Sequence, residues 1–327
     1  MILARRVGLF SLVFQALGQA WICEKKRIIP IVYFNKNCLY WVDTPVNSSR
    51  NVWEYFFEPL SSARLSDLFS TNDLSDPIFE SFEKKDFLSL DLTAEVEFTN
   101  EYPDVIKYSS PIVVQRQRRF VNHLIRRYLI LKPHIRSRVK TFLAENLIGN
   151  KMIGVHFRGS EKSSEKHGDG TAPVRIDGYE NLYFHAIRKE MKANPEALIF
   201  LATDSQSFAD NMINEFGPSL IMQDSIRAVG EEEEINGLHY INQGSKNGRQ
   251  LGDEVLTDAV LLSKCQTLIH GMSNVSHAAL YFNPDLKSID IDRQLIPKYQ
   301  ALGIEMKRRG LEINRKLKRA IKWGLER

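Results

Sequence analysis

The stretch MIGVHFRGSEK, residues Met152–Lys162, joins a short apolar strand to a cluster of polar side chains. Met152–Val155 is typical of a buried strand, and a buried parallel strand usually presents its functional groups at its carboxyl end. At that end the chain offers an imidazole, two cations and a carboxylate: His156, Arg158, Lys162 and Glu161. The cations and the imidazole suit an anionic ligand of the size of a nucleoside diphosphate. The alternative is a strand end whose charges only face water, and the rest of the chain has to distinguish the two.

The second half of the chain alternates strands and helices. The predicted strands are Lys151–Val155, Ala197–Ala202, Leu220–Met222, Thr267–His270 and Lys287–Ile291. The predicted helices are Ile176–Lys192, Ser207–Phe216, Leu251–Ser263 and Ser273–Tyr281. Repeated strand–helix units with short apolar strands predict an α/β fold, with helices on both faces of a parallel sheet.

The first half opens with another strand–helix–strand unit and then becomes irregular. Ile2–Ala4 and Ile28–Phe34 are predicted strands, Leu9–Lys25 is the helix between them, and Cys38–Val42 is a further short strand. Two helices follow the irregular region, separated by a proline. They are predicted at Pro111–Leu131 and His134–Leu147.

The amino terminus has basic residues before an apolar run, as a secretory signal does. Gln15, Gly18 and Gln19 interrupt that run, and no small-residue cleavage site follows it. We therefore expect this segment to be part of the folded protein rather than a signal.

The composition favours a globular protein of two domains. The chain has 327 residues, of which 43% are hydrophobic and 26% charged, and this balance is typical of soluble proteins. Its apolar runs are shorter than the roughly 20 residues that span a membrane. The three cysteines are scattered, without the spacing of a metal site or an even-numbered disulfide framework. We expect a cytoplasmic protein.

The net charge of +4 is distributed unevenly. Arg116–Lys140 holds nine basic residues and no acidic one, and Glu305–Arg327 holds nine basic against three acidic residues. Residues 301–327 form a predicted basic, amphipathic carboxyl-terminal helix that can pack on the domains or contact the inner membrane surface peripherally. We do not expect a nucleic-acid partner.

Polar residues follow three of the predicted strands. His156 and Arg158 follow the first, Asp204 follows the second, and Ser273-Asn274 follow the strand TLIH. A serine before an apolar helix is an N-cap pattern, and the free amides of such a helix start can hold phosphate. An arginine that grips a diphosphate with two hydrogen bonds strengthens that interpretation over simple capping.

Asp258 lies within an apolar helix pattern, where an unpaired carboxylate would be costly. It is expected to face solvent or to pair with a buried donor, such as His156 or the edge of a purine base. The chain has no GxGxxG motif after a strand and no Walker motif, and neither a DxD-type triplet nor a cluster of His, Cys and Asp suggests a metal site. We therefore expect neither a dinucleotide cofactor nor a metal ion.

The segments GVHFRGSEK, Ala202–Asp204 and Asp258–Asn274 resemble, in their order and spacing, the fucosyltransferase superfamily. The resemblance is in particular to alpha-1,6-fucosyltransferases and rhizobial nodulation fucosyltransferases, and it covers mainly the second half. It implies a GT-B-like fold, with two Rossmann-like domains facing each other across a cleft. Residues 1–148 would be the acceptor-side domain and 149–300 the domain that binds the nucleotide sugar.

The resemblance also implies roles for the polar residues. Arg158 would bind the β-phosphate and stabilise the departing GDP, and His156 and Asp258 would meet the guanine. Ser273 and Asn274 would hold phosphate, although Asn274 replaces a serine of the relatives. Asp204 would lie near the nucleotide or the acceptor.

The general base is left open between two carboxylates. Glu161, followed by Lys162, matches an Asp-Lys pair of the alpha-1,6 enzymes, and Glu165 is displaced by one from the position of the base. A second departure is Gly159, where many relatives have another arginine.

The resulting expectation is an inverting, metal-independent transferase that moves fucose from GDP-fucose to a hydroxyl of an oligosaccharide or polysaccharide. The alternatives are a transferase of the same fold with another nucleotide sugar or a protein acceptor, and a non-catalytic protein that binds sugar nucleotides or glycans. The acceptor side is expected in the irregular first half and in the polar loop Asp224–Arg249.

Overall fold

A computed structural model describes residues 2–4, 6–46, 49–63, 115–146, 151–159, 178–230 and 247–295. Glu161, Lys162 and Glu165, most of the Asp224–Arg249 loop and the carboxyl-terminal helix at 301–327 lie outside these ranges. The predicted roles of those segments therefore stay predictions.

The second half of the chain builds one parallel sheet of five strands. Its strands are β3 (Met152–Phe157), β4 (Leu198–Thr203), β5 (Leu220–Met222), β6 (Thr267–His270) and β7 (Lys287–Asp290). They lie in the order β5-β4-β3-β6-β7, and every neighbouring pair is parallel. The strand order therefore reverses between β3 and β6, which is where open sheets of this kind bind their ligands.

Helices cover both faces of this sheet, as the alternation predicted. The helices of this half are α5 (Tyr179–Ala193), α6 (Gln206–Phe216), α7 (Gly248–Leu262), α8 (Asn274–Phe282) and the short α9 (Ile291–Leu295).

Alternate residues of β3 enter different cores, because successive side chains of a strand point to opposite faces. Ile153, Val155 and Phe157 join the core formed with α5 and α6, where the ring of Phe157 stacks on Phe208 at 3.7 Å. Met152 joins the core formed with α7 and α8. His156 shares the parity of Met152, so it lies on the α7 and α8 side.

Gly154 explains how closely α7 approaches the sheet. A Cβ atom at Gly154 would lie 2.9 Å from Cys265 Sγ and 3.2 Å from Leu262. Real Cβ atoms are almost never that close to a neighbour, so this strand position needs glycine for the helix to pack.

The first half contributes β1 (Ile2–Leu3), α1 (Leu9–Lys25), β2 (Val32–Tyr33), the short α2 (Trp53–Phe56), α3 (Gln115–Tyr128) and α4 (Pro133–Asn146). β1 and β2 pair in parallel. α1 packs on α3, α7 and α8, and its buried apolar residues belong to one large core shared with those helices. α3 and α4 precede the predicted boundary at residue 148 and pack on α8 and α7.

Of the strands predicted in the first half, one was too long and another was wrong. The strand predicted at Ile28–Phe34 is only Val32–Tyr33, and Ile28 and Ile29 are exposed rather than buried. Cys38–Val42 forms turns, because its backbone bonds are local: Cys38 N–H donates to Asn35 O and Trp41 N–H to Cys38 O. Helix α1, in contrast, has the bounds that were predicted for it, Leu9–Lys25.

None of the helices in the described ranges is both long enough and apolar enough to cross a membrane.

Candidate functional site

The carboxyl ends of β3 and β6 meet at the point where the strand order reverses. His156 and His270 are register partners there, and both are buried. The ring of His270 bridges two neighbours: Nδ1 lies 2.9 Å from Gly271 O and Nε2 lies 2.8 Å from Ser288 Oγ. The tautomer with the proton on Nδ1 satisfies both contacts, with the serine hydroxyl donating to Nε2. These contacts fix one wall of the crevice.

A third histidine, His277 on α8, lies behind this pair. Burial lowers the pKa of His277 to about 3, and electrostatic interactions with the neighbouring His270, His156 and Arg118 add to the effect. His277 is therefore neutral at physiological pH. The wall contributes an uncharged imidazole rather than another cation.

Arg158 follows β3 directly and is half-buried. The next residue anchors its loop to the neighbouring strand, because Gly159 N–H donates to Asp204 Oδ1 at 2.6 Å. The backbone of Asp204 is held in turn, since its carbonyl accepts from Ala228 N–H at 2.8 Å. Asp204 therefore ties the loop that carries Arg158 to the end of β4.

The close approach of Ser205 explains why position 159 is glycine rather than a second arginine. A Cβ atom there would lie 2.5 Å from Cβ of Ser205. Ser205 cannot move away easily, because its hydroxyl caps α6 by accepting from Phe208 N–H at 3.2 Å.

The amino end of α8 faces the same crevice. Ser273 is the N-cap, as predicted, and its hydroxyl accepts from Val275 N–H at 3.2 Å. The side-chain amide of Asn274 donates to Ser11 Oγ of α1 at 2.7 Å. The helix start that is predicted to hold phosphate is thus attached to the first helix of the chain.

The loop between β6 and α8 is held by a carboxylate that was not predicted from the sequence. Asp292 accepts from Met272 N–H and, at 2.5 Å, from the hydroxyl of Tyr179. A Cβ atom at Gly271 would lie 2.6 Å from that hydroxyl, so the loop packs directly on the pair. The only local signal was an aspartate directly after the predicted strand Lys287–Ile291, in the sequence KSIDID.

Asp258 lies on α7, and Gln223 at the carboxyl end of β5 donates to its carboxylate. Gln223 is itself held by Arg138 of α4, whose Nε donates to Oε1 at 2.9 Å, and by Arg227, which donates to its carbonyl at 2.7 Å. Burial raises the pKa of Asp258 to about 7; the bond from Gln223 opposes the shift and the charge of Glu254 adds to it. The buried donor that Asp258 was expected to need is thus the side-chain amide of Gln223.

The structure therefore brings most of the predicted residues to one edge of the sheet. Those on adjacent strand ends or on the helix start beside them are His156, Arg158, Asp204, Ser273 and Asn274. Asp258 reaches the edge through Gln223, and Glu161 and Glu165 fall outside the described ranges. Across those ranges, no group of three or more His, Cys, Asp or Glu residues is arranged to hold a metal ion.

This fold and site define a class of protein: a GT-B-like α/β protein with its candidate site at the switch point of a parallel sheet. The class agrees with the fold of solved relatives. The fucosyltransferase NodZ from Bradyrhizobium matches with a TM-score of 0.52 and 20% identity, over 89% of this chain and 94% of that one. A NodZ alpha-1,6-fucosyltransferase co-crystallised with GDP matches with a TM-score of 0.51 and 20% identity, over 86% of this chain and 91% of that one. The predicted fold class is confirmed.

Residues 114–297 match the family model of Nodulation protein Z (NodZ). The match spans more than half of the chain, so the chain belongs to that family. Nodulation protein Z of Azorhizobium caulinodans is 32% identical over 164 residues, which are 47% of this chain and 43% of that protein. The aligned part thus spans less than half the length of this relative.

Proposed function

We propose that this protein transfers fucose from GDP-fucose to a hydroxyl group of an oligosaccharide or polysaccharide, with inversion and without a metal ion. The observation that carries the proposal is the placement of two anion-binding features on adjacent strand ends at the switch point: Arg158 follows β3, and the capped start of α8 follows β6. Membership of the NodZ family supports the donor, since a solved NodZ alpha-1,6-fucosyltransferase was soaked with GDP-fucose.

In this proposal Arg158 and the start of α8 hold the diphosphate from two sides. A guanidinium can form two parallel hydrogen bonds to a phosphate, and the amides of a helix start favour negative charge. His156 and Asp258 contact the guanine, and Ser273 and Asn274 hold phosphate. The charge of Arg158 matters most as the bond to GDP breaks, because negative charge then grows on the leaving phosphate.

The chemical step needs one carboxylate on the acceptor side. Glu161 or Glu165 removes the proton of the acceptor hydroxyl, and the oxygen attacks the anomeric carbon from the face opposite GDP. The bond between that carbon and the phosphate oxygen breaks, and GDP leaves with the electron pair. Configuration at the carbon inverts. Asp204, by holding the loop of Arg158, keeps the guanidinium aligned with the leaving group.

Metal independence is tested directly by activity in the presence of EDTA. Arg158 supplies the positive charge that a divalent cation would otherwise provide, so chelation should leave the rate unchanged. Restoration of activity by added Mg²⁺ or Mn²⁺ after chelation would contradict this part of the proposal.

Donor identity is tested by thermal unfolding with GDP, UDP, ADP or NAD. A ligand at 100 times its dissociation constant adds about 2.7 kcal/mol to the free energy of unfolding. We expect protection by GDP alone. Protection by another nucleotide instead would favour the transferase with a different donor.

Catalysis is tested by GDP release from GDP-fucose with a panel of glycan and peptide acceptors. Release with a glycan supports the transferase, and release with a peptide indicates a protein acceptor. Protection by GDP without release with any acceptor would identify a binding protein.

The proposed place of action is the cytoplasm, with peripheral contact of residues 301–327 at the inner membrane surface. Cell fractionation tests the cytoplasmic location and the membrane contact together. We expect part of the intact chain in the membrane fraction, and a chain ending at residue 300 only in the cytoplasmic fraction.

A further inference from the structure

The carboxyl end of α1 forms a turn with an unusual residue at its centre. Arg27 N–H donates to Glu24 O and Ile28 N–H donates to Cys23 O, which is the hydrogen-bond pattern of a Schellman cap. The residue in the left-handed conformation is Arg27, with φ of 58°, where glycine is the usual choice. Among the described residues it is the only non-glycine residue with positive φ.

The residue after this turn is placed outward. In a Schellman cap the hydrophobic residue that follows normally packs back on the helix. Here that residue, Ile28, is 54% exposed, and Ile29 is 66% exposed. A strained turn therefore presents two large aliphatic side chains to the outside directly after Lys25, Lys26 and Arg27, which are exposed as well.

A second segment brings another exposed isoleucine to the same region. Arg127 of α3 forms an ion pair of 2.6 Å with Glu24, so the carboxyl ends of α1 and α3 are joined. Ile130, just beyond α3, is 52% exposed. We name Lys25–Ile29, Arg127 and Ile130 the basic isoleucine surface.

Hydrogen bonds and an ion pair fix the loops on either side of this surface. Pro30 O accepts from the hydroxyl of Ser61 at 2.8 Å, and Ile130 O accepts from Glu58 N–H at 2.8 Å. Lys132 pairs with Glu58 at 2.6 Å. The isoleucines are thus displayed by an anchored framework. Three of the five large hydrophobic side chains found exposed in the described ranges lie here.

We propose that the basic isoleucine surface docks the protein on an anionic membrane. Ile28 and Ile29 insert at the level of the lipid headgroups, and Lys25, Lys26 and Arg27 contact the anionic headgroups around them. Basic residues beside apolar ones are the pattern of interfacial membrane binding. Protein interfaces, in contrast, are enriched in aromatic residues and depleted in lysine at their centres.

The position of this surface leaves the candidate site free. Ser11, near the amino end of α1, contacts Asn274 beside the site, and Lys25 ends the helix. A rise of 1.5 Å per residue puts about 21 Å between those two residues along the helix. A docked protein therefore keeps its switch-point crevice away from the lipid.

The test is sedimentation of the full chain with vesicles of phosphatidylcholine, alone or mixed with phosphatidylglycerol. We expect binding only to the mixed vesicles, and weaker binding as the salt concentration rises. The double variant Ile28→Ser/Ile29→Ser should lose about 10-fold or more in vesicle affinity. Lys25→Glu/Lys26→Glu should lose at least as much, since each cation near an anionic surface contributes about fivefold.

Two matched controls lie elsewhere on the surface. Ile213→Ser removes an isoleucine that is 46% exposed on α6, and Arg136→Glu/Lys140→Glu reverses two exposed cations of α4. Both should bind vesicles like the unchanged protein. Protection against heating by GDP should be the same in every variant, which shows that each folds and separates this proposal from the one on activity.

Three results would overturn the proposal. One is unchanged vesicle binding by Ile28→Ser/Ile29→Ser. Another is loss of binding only when the basic residues of 301–327 are replaced, which would assign the contact to that segment. The third is a dimer in solution that the isoleucine substitutions convert to a monomer, which would make a second copy the partner.

Discussion

Arg158 and Asp258 depend on their surroundings in different ways. Arg158 is placed by backbone contacts, because Gly159 and Asp204 hold its loop. Asp258 is placed by a chain of side chains, from Arg138 through Gln223 to its carboxylate. Removal of the charge at either position therefore tests a separate part of the site.

Substitution Arg158→Ala should reduce turnover by about 100-fold or more, because the positive charge at the leaving phosphate is lost. The fold should persist, since the loop is anchored by the backbone of Gly159. Turnover is measured as GDP release, and Arg136→Ala on the exposed side of α4 serves as the control. A folded Arg158→Ala protein with nearly normal turnover would contradict the assigned role.

Asp258 should make stability depend on pH. Its pKa is about 7 in the folded protein, against 3.8 for an unperturbed aspartate, so the folded state binds the proton more tightly. The resulting stabilisation is complete below pH 3.8 and is lost as the pH rises through about 7. Asp258→Asn removes this dependence.

The measurement compares the free energy of denaturant unfolding for the two proteins across that pH window. The amide introduced by Asp258→Asn still offers an oxygen to Gln223, so the hydrogen bond can remain. Asp224→Asn, at an exposed position after β5, is the control. Parallel pH profiles for the protein and for Asp258→Asn would show that the carboxylate is not buried as described.

At the scale of elements, the approach of the β3 and β4 loops sets the position of the site. Neither loop has a long run of regular structure, yet both are fixed by one carboxylate–amide hydrogen bond and one glycine. The apolar strands themselves were predictable, because short runs of apolar residues are typical of buried strands. The contact between their ends was not, because Gly159 and Asp204 are 45 positions apart in the chain, with α5 and β4 between them.

Gly159→Ala should destabilise the protein by about 1–3 kcal/mol, the usual cost of forcing an extra methyl group into a packed region. It should also lower turnover, because the Arg158 loop has to shift. In the double variant Gly159→Ala/Ser205→Gly the clashing Cβ is removed, while loss of a capping serine to glycine costs only a few tenths of a kcal/mol. Denaturant unfolding should show partial recovery. Additive losses in the double variant would exclude the clash as the cause.

At the scale of the whole molecule, α1 joins the first half of the chain to the helix that starts at the site. Its buried residues share a core with α7 and α8, and Asn274 donates to Ser11 across 263 positions of sequence. The predicted boundaries at residues 148 and 300 stay predictions, but the halves are connected at the start of α8. This connection makes the candidate phosphate site sensitive to the first half.

A double-mutant cycle on Ser11→Ala and Asn274→Ala should give a coupling energy of about 0.5–1.5 kcal/mol, the net contribution of a typical hydrogen bond. It is measured by denaturant unfolding. Ser276→Ala, whose hydroxyl donates to Gly271 O and Ser273 O, replaces Asn274→Ala in the control cycle with Ser11→Ala. That control should show less coupling. Zero coupling in the first cycle would mean that the two helices are not linked through this bond.

Local chemistry was enough to predict the strand and helix series of the second half, the capping role of Ser273, and the strand ends that carry His156, Arg158 and Asp204. Each depends on residues close together in the chain: an apolar run, a capping hydroxyl or a polar residue directly after a strand. The same reasoning failed at Ile28–Phe34, because a hydrophobic sequence does not reveal whether it will be covered.

Contacts between distant residues decided the rest. The order β5-β4-β3-β6-β7, the amide partner of Asp258, the carboxylate of Asp292 under the β6 loop and the bond from Asn274 to Ser11 all require the sheet to be assembled first. Burial and charge then act between groups that the linear chain keeps far apart. This is why MIGVHFRGSEK identifies the strand end that carries the candidate site, while the partners that shape it come from the folded protein.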